Sequence, residues 1–126
     1  MMMKAPTIAL ALIFAPFAVQ AQTIVKNCVF PTQCYSNGNC DTASRPDYTF
    51  TLDLDSQTGL YENGSFSATG FLRESGSLIH FYFVNAAGTE IMTFAPNGAA
   101  EFVGHMAGGS GISTYTLTGT CTEGNP

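Results

Sequence analysis

Positive charge is scarce in this chain: four Lys and Arg stand against nine Asp and Glu in 126 residues. Lys4 belongs to the N-terminal segment treated below. Beyond it, three cations, Lys26, Arg45 and Arg73, meet all nine acids, a net of −6. Such a surface repels phosphate backbones and anionic headgroups, which disfavours nucleic-acid and membrane-surface roles. Net negative charge of this size instead suits an exported protein that must stay soluble. Helical periodicity is also missing. No stretch of a dozen residues carries apolar side chains at i, i+3 and i+4, and Gly or Pro interrupts almost every window. No Gly-x-Ser-x-Gly elbow is present. Gly108-Gly109-Ser110-Gly111 lacks the strand-to-helix setting that exposes a nucleophile, and reads as a hairpin tip. Past residue 21 no apolar run approaches the roughly 20 residues that a membrane-spanning helix needs.

The first residues do have an apolar run, from Ile8 to Val19, preceded by Lys4 and broken by Pro16. It is too short to span a bilayer. Val19-Gln20-Ala21 fits the small-x-small rule for signal peptidase, so residues 1–21 are expected to be a signal peptide and residues 22–126 the mature chain. The first cysteine, Cys28, lies well beyond that cleavage point, which argues against a lipid anchor. The mature form is expected to carry no membrane anchor, and the length that remains suits one domain.

All four cysteines, Cys28, Cys34, Cys40 and Cys121, lie in the mature part. An even count in a small exported chain reads as two disulfides. The Cys-x5-Cys-x5-Cys spacing lacks the close pair that zinc sites use, and neither histidine is near it in sequence. Of the three possible pairings, Cys34–Cys40 closes the turn-rich Tyr35–Asn39 segment, and Cys28–Cys121 ties the first strand to the last. That pairing is the favoured expectation.

Alternation of period two runs through most of the mature chain. In Asp47–Asp55, Tyr48, Phe50, Leu52 and Leu54 alternate with Asp47, Thr49, Thr51, Asp53 and Asp55, giving one greasy and one wet face. Further strands are expected at Thr23–Phe30, Ser65–Arg73, Leu78–Val84, Thr89–Ala95, Ala99–Met106 and Ile112–Cys121. Turn chemistry separates them, with Asn63-Gly64 and Asn97-Gly98 suited to tight hairpins. The expected fold is all-β: a single small antiparallel meander of about seven or eight strands, closed as a barrel or folded as a two-layer sandwich. Short turns and a first-to-last disulfide tilt the choice toward a barrel. Residues 31–46 show no alternation and read as an ordered loop held by its own disulfide. The tail Thr122–Pro126 is expected to fray.

Candidate sites are few. Asp53–Gly59 begins like a calcium loop, but Gln57 stands where a third acid or Asn is needed and Gly64 where a bidentate Glu is needed, so a polar turn explains it. Asn63-Gly64-Ser65 matches a glycosylation sequon and is equally well explained as a turn. His80 and His105 are the two histidines. Glu101 shares a strand face with His105 but stands about 13 Å from it along an extended chain. No metal site, no cofactor and no catalytic residue is assigned. Leu78–Val84 is apolar on both faces, with Ile79, Phe81 and Phe83 opposed by His80 and Tyr82. One face fills the core. The other either lies under the 31–46 loop or forms an aromatic patch for a ligand or partner, which makes His80 and Tyr82 the candidate binding residues.

The signal segment, the Cys28…Cys34…Cys40 spacing and the final Tyr115-Thr116-Leu117-Thr118-Gly119-Thr120-Cys121 together resemble small exported proteins of unknown function from Gram-negative bacteria that end in a Gly-Thr-Cys strand. The general build is also similar in shape to small β-barrel lysozyme inhibitors of the periplasm, whose functional motifs are not matched here. The resemblance implies a compartment and disulfides, and no activity or site residue. The functional expectation is a non-catalytic periplasmic or secreted binding module for a protein or small ligand. The alternatives are a hydrolase-like enzyme using His80 or His105 with a carboxylate, and a structural envelope protein.

Overall fold

The computed structural model describes residues 22–85, 88–109 and 111–125, together with Met2, Met3 and Ala5. The expected signal segment 1–21, apart from those three residues, lies outside the described residues, as do Ser110 at the expected hairpin tip and Pro126. The chain forms nine strands: β1 (Thr23–Tyr35), β2 (Cys40–Asp41), β3 (Arg45–Asp53), β4 (Thr58–Asn63), β5 (Phe66–Ser75), β6 (Leu78–Val84), β7 (Gly88–Phe94), β8 (Ala99–Gly108) and β9 (Gly111–Gly124).

From β3 to β9 each strand pairs antiparallel with the next, and β1 pairs with both β3 and β9. The meander therefore closes on itself as an eight-stranded barrel, with β2 attached as a short flap on β1. Closure removes the sheet edges that an open meander would leave. The barrel form of the expected fold is the one observed.

The alternation read from the sequence sets the inside of the wall. Phe50 and Leu52 of β3, Phe81 and Phe83 of β6, Met92 and Phe94 of β7, and Phe102 of β8 all point inward and are buried. Edge-to-face contacts knit them: Phe50 meets Phe94 at 5.2 Å and Phe81 at 5.9 Å between ring centroids. Eight strands enclose a space that side chains can fill or that can hold one small ligand, and here phenylalanines fill its middle.

Three expectations about boundaries differ from the structure. Thr58–Asn63 is a full strand, β4, where the sequence reads as two turns separated by Leu60 and Tyr61. Gly59 and Asn63 are turn-forming types, but their backbone groups find partners in β3 and β5. The 31–46 segment is not all loop. β1 continues to Tyr35 through an irregularity between Val29 and Thr32, β2 returns at Cys40, and β3 begins at Arg45. That bulge breaks the alternation, which hides the strand from a period-two reading. The C-terminal segment does not fray at once: β9 runs to Gly124, opposite Val25.

Both expected disulfides are present. Cys28 and Cys121 are directly opposed on β1 and β9, with Cα atoms 4.0 Å apart and 93 residues between them in sequence. Cys34 and Cys40 are opposed on β1 and β2, six residues apart in sequence. Disulfides of this kind persist in an oxidising, non-cytoplasmic compartment. No described helix is long and apolar enough to cross a membrane.

The two bridges differ in their effect on the unfolded chain. Loop-closure entropy gives about 4–5 kcal/mol for the long loop and about 2 kcal/mol for the short one. A Cys28→Ala/Cys121→Ala variant is therefore expected to lose about twice the stability lost by Cys34→Ala/Cys40→Ala. Urea unfolding of both variants against the oxidised parent checks this, and equal losses would contradict it.

Candidate functional site

The barrel has two unlike ends. One carries the β3–β4, β5–β6 and β7–β8 turns and is filled by apolar side chains. The other carries the β4–β5, β6–β7 and β8–β9 connections and the Cys34–Cys40 hairpin, and it holds a cavity of about 430 Å³. That volume falls within the usual range for small-molecule sites.

Most of the strands that reach this mouth contribute a side chain from the inward face, and Asn85 comes from the connection after β6. Tyr48 comes from the start of β3 and Tyr61 from the end of β4, and their rings stack at 5.9 Å. Tyr115 of β9 stacks on Phe102 of β8 at 6.2 Å, and Phe102 forms part of the cavity floor. Gln33 reaches the cavity because the bulge in β1 puts it in register with the inward Leu117. Without that bulge the alternation from Cys28 and Phe30 would turn Gln33 outward.

Glu90 is the one buried charged residue among the described residues, 7% exposed. It follows the inward phase of Met92 and Phe94 on β7. The Tyr115 hydroxyl donates to its Oε1. The Asn85 side chain hydrogen-bonds it as well, while Asn85 Oδ1 accepts from the Gly88 amide at 3.0 Å and so orients the amide group. Burial raises the Glu90 carboxyl above its ordinary range, and the two hydrogen bonds only partly oppose this. Gly104 of β8 makes room for the pair: it lies between Glu90 and Tyr115 in the ladder, and a Cβ there would collide with the Tyr115 ring.

The tyrosines are held neutral by the same burial. Tyr61 is pushed up to about 12 by loss of water around its phenol, and Tyr48 and Tyr115 are raised for the same leading reason. Asn63 ties two of them together. Its Nδ2 donates to the Tyr61 hydroxyl at 3.4 Å, and its side chain also hydrogen-bonds Tyr48. Asn63 is placed by the hairpin that follows, where Gly64 takes a φ of 59° that other residues seldom adopt. The mouth thus presents phenols, amides and one carboxyl on an aromatic floor, with no Lys, Arg or His in its lining.

The residues singled out from the sequence lie elsewhere. His80 and Tyr82 stand on the outer wall of β6, opposite the inward Phe81 and Phe83. His80 Nδ1 is 2.9 Å from the Thr93 hydroxyl, and Arg73 Nε donates to the Tyr82 hydroxyl at 3.0 Å. Phe71 and Val84 beside them are 66% and 76% exposed, so this outer face is an open apolar patch. His105 is exposed on β8, and neither histidine forms an ion pair among the described residues. Asp53 Oδ1 accepts from the Asp55 and Ser56 amides, which makes the calcium-like segment a turn. No group of three metal-ligating side chains occurs among the described residues.

The cavity itself was missed by the sequence reading. Glu90 carried a signal, since it shares its strand face with Met92 and Phe94. The convergence of Tyr48, Tyr61 and Tyr115 carried none, because it depends on register across four strands.

No protein-family model matches the chain, and no curated protein or solved structure does.

A raised carboxyl means that the folded protein holds the Glu90 proton more tightly than the unfolded chain does. Stability from this group is complete below the ordinary glutamate value of 4.5 and is lost as pH rises through the raised one. Glu90→Gln keeps the shape and cannot ionise. The parent is expected to lose stability relative to Glu90→Gln as pH increases from 4.5 toward neutrality, read from urea midpoints. Parallel profiles over that range would contradict the assignment.

Proposed function

We propose that this protein is a non-catalytic binding protein of the periplasm or the secreted fraction, and that it holds a small ligand in the mouth of the barrel. The observation that carries this reading is the buried Glu90 at the edge of a cavity lined by phenols and amides. A buried carboxyl costs stability unless something offsets it. A packed eight-stranded barrel has no structural need for a polar cavity, since such interiors are readily filled by apolar side chains. Rigid walls carrying a few placed polar groups are what small-ligand sites share. The two disulfides and the scarcity of basic residues fit an exported protein that works outside the cytoplasm.

A second reading rests on the outer wall. Phe71, Tyr82, Ile91 and Val103 are successive partners across β5, β6, β7 and β8, forming one apolar row beside His80. This row supports a surface for a protein partner. The hydrolase-like alternative using His80 or His105 finds less support, since His80 is engaged by the Thr93 hydroxyl and neither histidine pairs with a carboxylate among the described residues.

An NMR screen of small fragments against the isotope-labelled, oxidised protein tests the proposal. Binders are expected to shift resonances of Gln33, Tyr48, Asn63, Glu90 and Tyr115, and Gly104→Ala is expected to weaken them at least tenfold by displacing Tyr115. Shifts confined to Phe71, Tyr82 and Ile91 would favour the outer wall. A screen in which the mouth resonances never move would overturn the proposal.

A further inference from the structure

We infer that the ligand class suited to the barrel mouth is a small organic cation, an amine or quaternary ammonium group carried on a compact body. This inference rests on the reading of the mouth as a binding site. Its first support is charge. Glu90 is the one ionisable acid lining the cavity, and no cationic side chain lines it. The Arg45 guanidinium, outside the lining, acts on Tyr48 electrostatically but is itself engaged by Asp41 at 2.9 Å and by the Ala43 carbonyl at 2.7 Å. An anionic ligand would meet a buried carboxyl with no compensating charge, which disfavours it. A cation would supply the counter-charge that the cavity lacks.

The second support is the wall. Tyr48, Tyr61, Phe102 and Tyr115 form a continuous set, with neighbouring ring centroids 5.7–6.3 Å apart. A group seated among them lies within reach of more than one ring, and cations are attracted to aromatic faces within about 6 Å. Phe66 adds a fifth ring at the rim. It is 44% exposed, with its centroid 5.6 Å from that of Tyr61. Quaternary ammonium groups are recognised by aromatic cages. A neutral ligand of the same shape would use the rings but not the charge of Glu90.

The third support is that the polar groups in the lining can accept as well as donate. The phenol oxygens of Tyr48 and Tyr61 and the amide oxygens of Gln33 and Asn63 offer acceptors to an N–H or O–H of the ligand. Donors alone, which would suit an anion, are not what the mouth presents.

The test compares charge at constant shape. Choline and its neutral carbon analogue 3,3-dimethylbutan-1-ol are titrated against the labelled protein at neutral pH, as are benzyltrimethylammonium and benzoate. Choline and benzyltrimethylammonium are expected to shift the Glu90 and Tyr115 resonances, with the neutral analogue at least tenfold weaker and benzoate not binding there. Glu90→Gln is expected to weaken the cations at least tenfold and to remove most of their advantage over the neutral analogue. If the neutral analogue binds the same residues as tightly as choline, the cation inference is overturned while the mouth remains a binding site. Preference for benzoate overturns it in the same way. If neither cation moves the mouth resonances at millimolar concentration, the inference fails, and the fragment screen decides separately whether the mouth binds anything.

Discussion

Cys28 and Cys121 face each other across the two strands that turn an open meander into a barrel. Every other neighbouring pair in the barrel wall except β1–β3 is joined by a short turn. The β1–β9 seam must be formed by strands from opposite ends of the chain. Such a contact carries a large loop-closure penalty, and a covalent bond at that point removes much of it from the folding balance. The seam is also long. It runs from Val25–Gly124 to Tyr35–Tyr115, and Lys26 with Glu123 adds an exposed ion pair near one end. A surface pair of that kind contributes little, so the seam depends on its ladder and its disulfide.

Closure has a consequence at each end. Toward the end that carries the β3–β4 turn, phenylalanines, Leu52 and Met92 fill the lumen. Toward the other end, the bulge in β1 and the length of β9 bring Gln33 and Tyr115 inward above the last apolar layer. The lining there changes from hydrocarbon to phenol, amide and carboxyl on β3, β7 and β9, where Tyr48 follows Phe50, Glu90 follows Met92 and Tyr115 follows Leu117 on the inward face. Glu90 and Tyr115 are neighbours two strands apart that meet over Gly104, and their hydrogen bond is possible only in a closed, correctly registered wall. The functional proposal therefore depends on the same seam as the fold.

The wall was legible in the sequence wherever alternation was clean. Tyr48, Phe50 and Leu52 gave β3, and the two-faced run Leu78–Val84 gave β6. The disulfide pairing was legible because one pair brackets a turn and the other lies in the first and last strands. Leu60 and Tyr61 were too few between Gly59 and Asn63 to mark β4, and its strand character comes from pairing on both sides. The bulge past Val29 breaks the period that would have shown β1 reaching Tyr35. The candidate site was least legible. His80 and Tyr82 stood out for their aromatic neighbours, and they do line the outer face of β6 opposite the core residues Phe81 and Phe83, away from the barrel mouth. Glu90 shared the phase of Met92 and Phe94 and was visible in principle. Its partners Tyr115 and Asn85 come from a different strand and from a turn, and only the three-dimensional register joins them.

Amide hydrogen exchange on the oxidised protein addresses the closure of the wall most directly. A closed barrel requires the amides of the β1–β9 seam, over residues 25–29 and 117–121, to exchange as slowly as those of the central strands β5 and β6, through the same global opening. Exchange along the seam that is orders of magnitude faster than in β5 and β6 would show two free edges, and the barrel with its mouth would then not exist in solution.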